Sequence, residues 1–415
     1  MHYKKLELNH WQQFENVKLD FHERLTVLTG ANGSGKTTIL SLFARHVGWT
    51  ISSLSTPKQD IKTKAIRFCT RLFKGEDRSQ TPSIGNIIYS NGVVSNLVIP
   101  TQDRAQYQIQ IQNQQSVDCI YIPSHRSAFR YQAVGNIPTA KKTKHNAFTE
   151  VSNVYRQQYL GNGTQPCSFM MKNALIGWAI NGYGVTNTNN KVIMARDVEQ
   201  ISFFEGFQNI LRKILPPSLG FKEIEIRNME IVFVCNDGND EFLLETASGG
   251  ISALIDIAWQ IYMYATKEHS DFTVIIDEVE NHLHPTMQRS ILQNLLDAFP
   301  QARFIVSTHS PLIVGSVRDS AVYVLKYNEG KKIESTRLDL VGQAKTASEI
   351  LDEVLGVSFT MPVWAENNLT SIIEKYISAP ITKSSLSDLR KELTESGLGK
   401  LLPYAIQEIA EKGDD

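Results

Sequence analysis

The chain has 415 residues, enough for about two or three lobes with a sizeable hydrophobic core. Its 42 lysines and arginines nearly balance its 43 aspartates and glutamates, so the overall charge gives no sign of a protein coated for nucleic-acid binding. Four scattered cysteines without CxxC spacing are expected to be reduced thiols, and without a signal peptide or an apolar run of about twenty residues we expect a cytoplasmic protein with no membrane contact.

The first fifty residues predict a strand, a turn, a strand, a loop and a helix, and the loop carries a phosphate-binding pattern. The segment from Gly30 to Thr37 reads GANGSGKT, which matches GxxxxGK[ST] between a β-branched run and a helical stretch. Backbone N–H groups of such a loop surround phosphate oxygens at a helix N-terminus. This Walker A loop predicts a bound nucleoside triphosphate, contacted by Asn32, Gly33, Ser34, Gly35, Lys36, Thr37 and Thr38. A glycine-rich turn with a chance lysine is the alternative, which the flanking pattern disfavours.

Two further regions precede the second half of the predicted site. Strand-like pieces between about residues 52 and 117 predict an antiparallel β subdomain that completes a nucleotide-binding lobe of residues 1–123. We expect a helical insertion and signature lobe over residues 124–270, because helical and loop segments alternate there. Ser248, Gly249 and Gly250 stand immediately before a long apolar helix. They form an anion-binding nest at a helix start, although alone they make only a good N-cap.

The run TVII at residues 273–276 is a β-branched strand that ends in Asp277 and Glu278, which is the Walker B arrangement. Carboxyl ends of buried parallel strands are where ligands bind in such sheets. We therefore expect Asp277 and the Thr37 hydroxyl to hold Mg²⁺, while Lys36 reaches the β- and γ-phosphates. Glu278 is expected to orient and deprotonate the attacking water. A solvated strand end is the alternative for such a pair of acids, and the Walker A loop favours the functional interpretation.

A third strand, Phe304–Thr308, delivers His309 at its end, where a histidine can donate to the γ-phosphate. A lone histidine is more often structural, but strand, position and order favour a catalytic switch here. Residues 271–330 are thus expected to form the part of the nucleotide-binding lobe that carries Walker B and this histidine.

The order of these motifs resembles that of the ABC-type ATPases, which include OLD, SMC and RecF-like proteins. The run DEVENHLHP from Asp277 and the run FIVSTHSP from Phe304 are similar to the ATPases of bacterial anti-phage defence systems, such as Septu, retrons with a Septu-like ATPase, and PARIS. The resemblance covers residues 1–50 and 230–315. It implies an α/β fold: a P-loop ABC-type ATPase head with a mixed β/parallel sheet lobe, a helical signature lobe and a helical C-terminal extension.

The resemblance also implies how the site is completed. ATP and Mg²⁺ would be bound in a head-to-tail homodimer or higher homo-oligomer, in which Ser248, Gly249 and Gly250 of one subunit close on the ATP of the other. Residues 280–285 would join the two sites.

The sequence departs from the family pattern after Ile122, where ABC proteins usually carry a glutamine that touches Mg²⁺ and the attacking water. Ser124, His125 or Arg126 occupies that loop instead. The HxH pair His282 and His284 has no third ligand nearby, so we expect a structural or interfacial role.

Residues 331–415 are expected to form a helical region for oligomer or partner contacts. A capping box at 346–349 opens the first apolar stripe, and further stripes follow at helical spacing. Such stripes pack on their own domain or dock a partner, and both remain open. No TOPRIM-like glutamate with a DxD pair and no HNH cluster follows Pro311, so we expect no nuclease activity of the chain itself.

The sequence therefore predicts a regulatory function. We expect an ATPase that controls a separately encoded effector nuclease, of HNH or TOPRIM type, in anti-phage defence. A RecF- or SMC-like DNA-binding ATPase of repair or replication is the alternative, and a transporter motor fits worse. The basic run at 141–145, with Arg126 and Arg130, either contacts nucleic-acid phosphates or is a solvated loop.

Overall fold

The computed structural model describes residues 1–59, 64, 66–69, 83–100, 104–136, 138–159, 161–162, 165–338, 363–377 and 383–413. The chain divides into two compact units, Met1–Ile350 and Leu351–Asp415. The finer division into lobes at residues 123, 270 and 330 stays a prediction.

The strands of the first unit are β1 (Tyr3–Trp11), β2 (Phe14–Asp20), β3 (Leu25–Thr29), β4 (Ser53–Leu54), β5 (Thr56–Gln59), β6 (Ile66–Cys69), β7 (Ser83–Tyr89), β8 (Val94–Val98), β9 (Gln106–Tyr107), β10 (Gln110–Gln112), β11 (Cys119–Ile122), β12 (Val185–Thr186), β13 (Val192–Met194), β14 (Phe221–Arg227), β15 (Glu230–Cys235), β16 (Asp240–Leu243), β17 (Phe272–Ile276), β18 (Ala302–Thr308), β19 (Ala321–Tyr327) and β20 (Ile333–Leu338). Its helices are α1 (Lys36–Ala44), α2 (Lys144–Tyr159), α3 (Cys167–Tyr183), α4 (Val198–Ile214), α5 (Gly249–Tyr264), α6 (Pro285–Gln288), α7 (Ile291–Ala298) and α8 (Pro311–Val314).

A mixed sheet of eleven strands organises the first unit, in the order β10-β8-β7-β1-β2-β20-β19-β3-β18-β17-β11. The five strands from β19 to β11 are mutually parallel, and every residue of β3, β11 and β17 is buried. A parallel sheet covered on both faces requires such continuous apolar strands. Within the region predicted to form an antiparallel β subdomain, β7 pairs with β1, β8 with β7 and β10 with β8, so these antiparallel strands extend the same sheet.

The register of the parallel strands determines where the polar loops meet. Ile276 at the end of β17 lies opposite Ile122 on one side and Val306 on the other, and Thr308 lies opposite Thr29. The segments that follow β3, β11, β17 and β18 therefore leave the sheet at one edge.

Helices α2 to α5 form a helical layer whose centre is α5. This helix is buried on nearly all sides, and Trp259 packs edge-on against Phe207 at a ring distance of 4.9 Å and lies 5.5 Å from the Trp178 ring. Truncating such a buried indole to alanine costs about 3–5 kcal/mol. The packing fixes the axis of α5 and, with it, the position of the Ser248 segment that begins the helix.

The second unit contains helices Val363–Ile377 and Lys383–Glu395, a short turn and helix Leu402–Gly413. The predicted stripes face one another there: Leu369, Ile372, Ile373, Leu389 and Leu393 form one buried cluster with Ala405 and Ile409. These stripes therefore pack on their own domain. The capping box at 346–349 and the stripe that follows it lie outside the described residues.

Candidate functional site

The Walker A loop joins the end of β3 to α1 in a conformation that requires glycine. Gly30 and Gly35 have φ angles of 145° and 85°, and a Cβ at these positions would lie 2.4 Å from Leu325 O and 2.3 Å from the Phe14 ring. Without side chains, the loop can pass close to its neighbours and expose its backbone N–H groups to a ligand. Gly35 is the N-cap of α1, so the helix begins at Lys36 and follows the loop directly.

Two side chains that sequence reasoning missed hold this loop from outside. The amide of Gln13 donates to Gly33 O at 2.8 Å, and the hydroxyl of Tyr327 donates to the same oxygen at 3.3 Å. They come from the turn after β1 and from the end of β19, so no local pattern could have linked them to the loop. Within the loop, Asn32, Gly33 and Thr37 are exposed, whereas Ser34 and Lys36 are buried.

Lys36 lies over its own loop. Its ammonium donates to Gly30 O at 2.8 Å and to Ala31 O at 3.1 Å. Burial lowers the pKa of Lys36 to about 8, although the charges of Glu280, Glu278 and Asp277 act in the opposite direction. The side chain is therefore a desolvated cation surrounded by acids, which suits it to a triphosphate.

Thr37 and Asp277, the two residues predicted to hold Mg²⁺, are hydrogen-bonded to each other. Oδ1 of Asp277 accepts from the Thr37 hydroxyl at 3.1 Å and from the Ser307 hydroxyl at 2.5 Å. Oδ2 is buried and has no hydrogen-bond partner among the residues that the structure describes. Burial raises the pKa of Asp277, against these two hydrogen bonds. An unpartnered carboxylate oxygen next to a threonine hydroxyl is a set of hard oxygen donors that fits Mg²⁺.

Glu278 follows with a φ angle of 45°, in the left-handed region that non-glycine residues rarely adopt. Its backbone N–H donates to the Ser307 hydroxyl at 2.8 Å. Its carboxylate accepts from the Asn281 amide at 2.8 Å through Oε2, and Oε1 lies 3.6 Å from Nε2 of His309. The turn thus aims the carboxylate at the end of β18.

His309 lies between the acid and the lysine. Its Nδ1 is 3.2 Å from the Lys36 ammonium, and its backbone N–H donates to Oε1 of Glu280. The sequence placed Glu280 in the segment 280–285 that would join the two sites, but it did not predict this contact with His309. Its Oε2 is buried with no partner among the described residues.

The loop after β11 stands where the family pattern places a glutamine. Ser124 and His125 line a cavity of about 710 Å³ together with Thr37, Thr38 and Asp277. The Ser124 hydroxyl lies 3.2 Å from Nδ1 of His125. These two residues therefore line the same cavity as Thr37 and Asp277, whereas the Arg126 guanidinium donates to the backbone oxygens of Glu278 and Asn281 after Walker B.

The signature residues lie apart from this cluster. Ser248 is exposed, it is the N-cap of α5, and its side chain makes no capping hydrogen bond. Gly250 is close-packed, since a Cβ there would lie 3.1 Å from His282 O. In the described part of the chain no hydrogen bond joins Ser248, Gly249 or Gly250 to the Walker A loop. The structure thus brings together Walker A, Asp277, Glu278 and His309, and leaves the signature serine facing outward.

The basic run at 141–145 is largely neutralised within the fold. Lys141 and Lys142 form ion pairs of 2.6 Å with Asp197 and Glu150. Lys144 lies 3.4 Å from the centre of the Tyr262 ring and donates to Ala265 O, and burial lowers its pKa to about 8. This arrangement favours a structural role for the run over phosphate binding.

Membrane-spanning helices and clustered metal ligands are both absent from the described residues. None of their helices is long and apolar enough to cross a membrane. They contain no group of three or more histidine, cysteine, aspartate or glutamate side chains that could hold a metal ion. His284 instead caps α6, where its Nδ1 accepts from Thr286 N.

Two protein-family models match the chain. The model described as "AAA domain" covers residues 5–173, and the model described as "AAA domain, putative AbiEii toxin, Type IV TA system" covers residues 170–315. The first match contains the Walker A loop, and the second contains the signature residues, Walker B and His309.

Curated relatives come from two kinds of system. Septu protein PtuA of Bacillus mycoides is 24% identical over 97% of this chain and 50% of its own length, so the chain spans about half of that relative. Septu protein PtuA of Bacillus thuringiensis is 23% identical over 94% of this chain and 96% of its own length. The Retron Vc95 probable ATPase of Vibrio cholerae is 33% identical over 28% of this chain and 22% of its own length.

Among solved structures, an SMC head bound to the C-winged helix domain of ScpA aligns with 82% of this chain and 99% of its own, with a TM-score of 0.46 and 16% identity. A likeness of that degree supports no conclusion about function. The motif geometry and the sequence comparisons agree with each other: the chain has two AAA-domain matches and the motif order of an ABC-type ATPase, and it is similar to Septu protein PtuA and to a retron ATPase.

Proposed function

We propose that this chain binds and hydrolyses ATP with Mg²⁺ in a site that two copies complete. The observation that carries the proposal is the meeting of Lys36, Asp277, Glu278 and His309 at one sheet edge while Ser248 stays outside it. Thr37 and Asp277 would hold Mg²⁺, which neutralises charge on the β- and γ-phosphates when bound. Lys36 would donate to the same phosphates.

The hydrolytic step assigns one task to each remaining side chain. A water oxygen forms a bond to the γ-phosphorus, and the bond from that phosphorus to the β,γ-bridging oxygen breaks, so ADP leaves with the electron pair. Glu278 takes the proton of the water, and His309 donates a hydrogen bond to the γ-phosphate. The product pair is ADP and inorganic phosphate.

The second copy supplies the signature residues. Ser248 has an exposed hydroxyl that no capping bond uses, and Gly249 has open space where a Cβ would lie, so a phosphate of a partner's ATP can approach both. Because each copy has one Walker A loop and one signature segment, a symmetric head-to-tail dimer contains two such sites. ATP bound between the two copies then favours the closed dimer over the open one. The dimer is therefore a two-state element whose equilibrium ATP can shift.

We further propose that this closure controls a separately encoded effector nuclease of HNH or TOPRIM type. The support for this proposal is the names of the relatives, which belong to Septu and to retrons. The ion pairs of Lys141 and Lys142 argue against a DNA clamp that would bind phosphates through the basic run 141–145.

The test is co-expression with the products of the neighbouring genes, followed by native mass measurement and a nuclease assay. We expect a stable complex whose nuclease activity changes between ATP and no ATP, and in which the variant Lys36→Ala does not respond to ATP. A nuclease that forms no complex with this chain, or whose activity is the same in the wild-type and Lys36→Ala complexes, would contradict the regulatory proposal.

A further inference from the structure

The turn after β17 carries the proposed base, and its backbone conformation needs external support. Glu278 has a φ angle of 45°, a conformation that persists in a residue with a side chain only where the surroundings hold it. Inside the turn, the Asn281 N–H donates to Glu278 O at 3.1 Å, and the Val279 N–H donates to Ser307 O at 3.1 Å. These bonds close the turn and attach it to β18. They do not support the side of the turn that faces the loop after β11.

The guanidinium of Arg126 supports that other side. Its Nη2 donates to Glu278 O and its Nη1 donates to Asn281 O, both at 3.1 Å, so one planar fork spans the two ends of the turn. Arg126 follows β11, the strand next to β17 in the sheet. The brace therefore starts from a rigid neighbour of the element that it supports.

Asn281 extends the brace to the carboxylate itself. Its side-chain amide donates to Oε2 of Glu278 at 2.8 Å and to Ser124 O at 3.1 Å. One amide thus ties the proposed base to the backbone of the loop after β11. With Oε2 held in this way, Oε1 is the carboxylate oxygen left to face a water and His309.

The electrostatic surroundings of Arg126 suit this task. Burial lowers its pKa, and its cation faces Asp256 on α5 together with Glu280 and Asp277. Its Nε is buried with no hydrogen-bond partner in the part of the chain that the structure describes. The guanidinium therefore donates to the carbonyl oxygens of Glu278 and Asn281, and its positive charge lies among the acidic side chains.

We propose that Arg126 and Asn281 are positioning residues for ATP hydrolysis: they fix the backbone and the carboxylate of Glu278 so that the base faces the attacking water. The inference rests on the proposed function, because it assigns no task outside that reaction. It predicts that the two residues affect the chemical step and leave ATP binding nearly unchanged.

The variant Arg126→Met removes the fork and keeps a long side chain, and Arg130→Met is the matched control on an exposed position of the same loop. We expect Arg126→Met to lower kcat at least about tenfold with the affinity for a fluorescent ATP analogue within about twofold, while Arg130→Met behaves as wild type. Arg126→Lys should restore activity only partly, because one ammonium does not reproduce a planar fork. Asn281→Ala should repeat the kcat loss, and it serves as the second variant if Arg126→Met does not fold.

The double variant Arg126→Met/Glu278→Gln separates positioning from general stability. If Arg126 acts through Glu278, the double variant hydrolyses ATP no more slowly than Glu278→Gln alone. A further drop in the double variant, or near wild-type kcat in Arg126→Met and Asn281→Ala, overturns the positioning role while the proposed ATPase stands. A wild-type protein without ATP hydrolysis overturns the proposed function and this inference with it.

Discussion

The ammonium of Lys36 lies 3.2 Å from Nδ1 of His309, which joins the Walker A loop to the end of β18. An ammonium can only donate, so Nδ1 must accept, and a neutral His309 ring then carries its proton on Nε2. This is the atom that lies 3.6 Å from Glu278. The contact with Lys36 therefore selects the tautomer that can donate from Nε2.

The first prediction concerns this donor. His309→Ala should bind ATP and hydrolyse it about 10²–10³-fold more slowly, because a hydrogen bond to developing charge is lost. His309→Gln, which keeps a side-chain N–H, should recover part of the rate. Single-turnover phosphate release measures both variants. Equal rates for alanine and wild type would remove His309 from the reaction.

Lys36→Ala should abolish ATP binding. The substitution deletes the buried cation that the loop holds between Gly30 O, Ala31 O and His309. Titration with a fluorescent ATP analogue measures the loss, and Lys326→Ala, at an exposed position on β19, is the control. Undiminished affinity of Lys36→Ala would refute the assignment of the phosphate loop.

Glu278→Gln should keep ATP affinity within about threefold and slow hydrolysis by about two orders of magnitude or more, because the phosphate cradle stays while the base is lost. The amide still accepts and donates within the turn, so the fold should remain intact. Circular dichroism and multiple-turnover assays check the two halves of the prediction. A rate near wild type would move the base to Glu280.

The affinity for ATP should depend on pH above about 8. Burial lowers the pKa of Lys36 to about 8, and the charged form is the one that binds a triphosphate. Bound phosphates would raise this pKa, so binding above pH 8 takes up a proton, and the Kd should rise by about tenfold per pH unit there. Between about pH 7 and 7.5 Lys36 is mostly charged, so its ionisation should change the Kd for ATP little in this range.

Calorimetric titration at pH 9 in two buffers of different ionisation enthalpy measures the proton uptake directly. We expect about one proton per ATP at pH 9 and close to none at pH 7. A constant Kd from pH 7.5 to 9.5 would show that Lys36 keeps its charge in the free protein.

The sequence predicted the parts of the site that follow single apolar strands. The Walker A loop, Asp277, Glu278 and His309 each stand at the end of such a run, and β3, β18 and β17 are neighbours in the sheet. Local patterns suffice for these features because strand, turn and loop are encoded within a few residues.

The remaining features of the site could not be predicted, because they depend on contacts between residues that are far apart in the sequence. Arg126 was one of three candidates for the loop after β11, and its task became visible only when β11 paired with β17, far along the chain. Likewise the basic run 141–145 gave no hint of Asp197 and Glu150, its partners in the fold. The apolar stripes of the C-terminal helices predicted helices but not that they bury one another.

The central claim is that two copies share each ATP site, and mixing two inactive variants tests it most directly. Lys36→Ala destroys the phosphate loop, and Ser248→Arg blocks the signature segment, so each variant alone should be inactive. In a mixed dimer one site contains both defects and the other contains none. An equal mixture should therefore regain about one quarter of the wild-type rate, because about half of the dimers are mixed and each has one intact site. A mixture that remains as inactive as its components, although mixed dimers are detected by native mass measurement, would contradict the shared site.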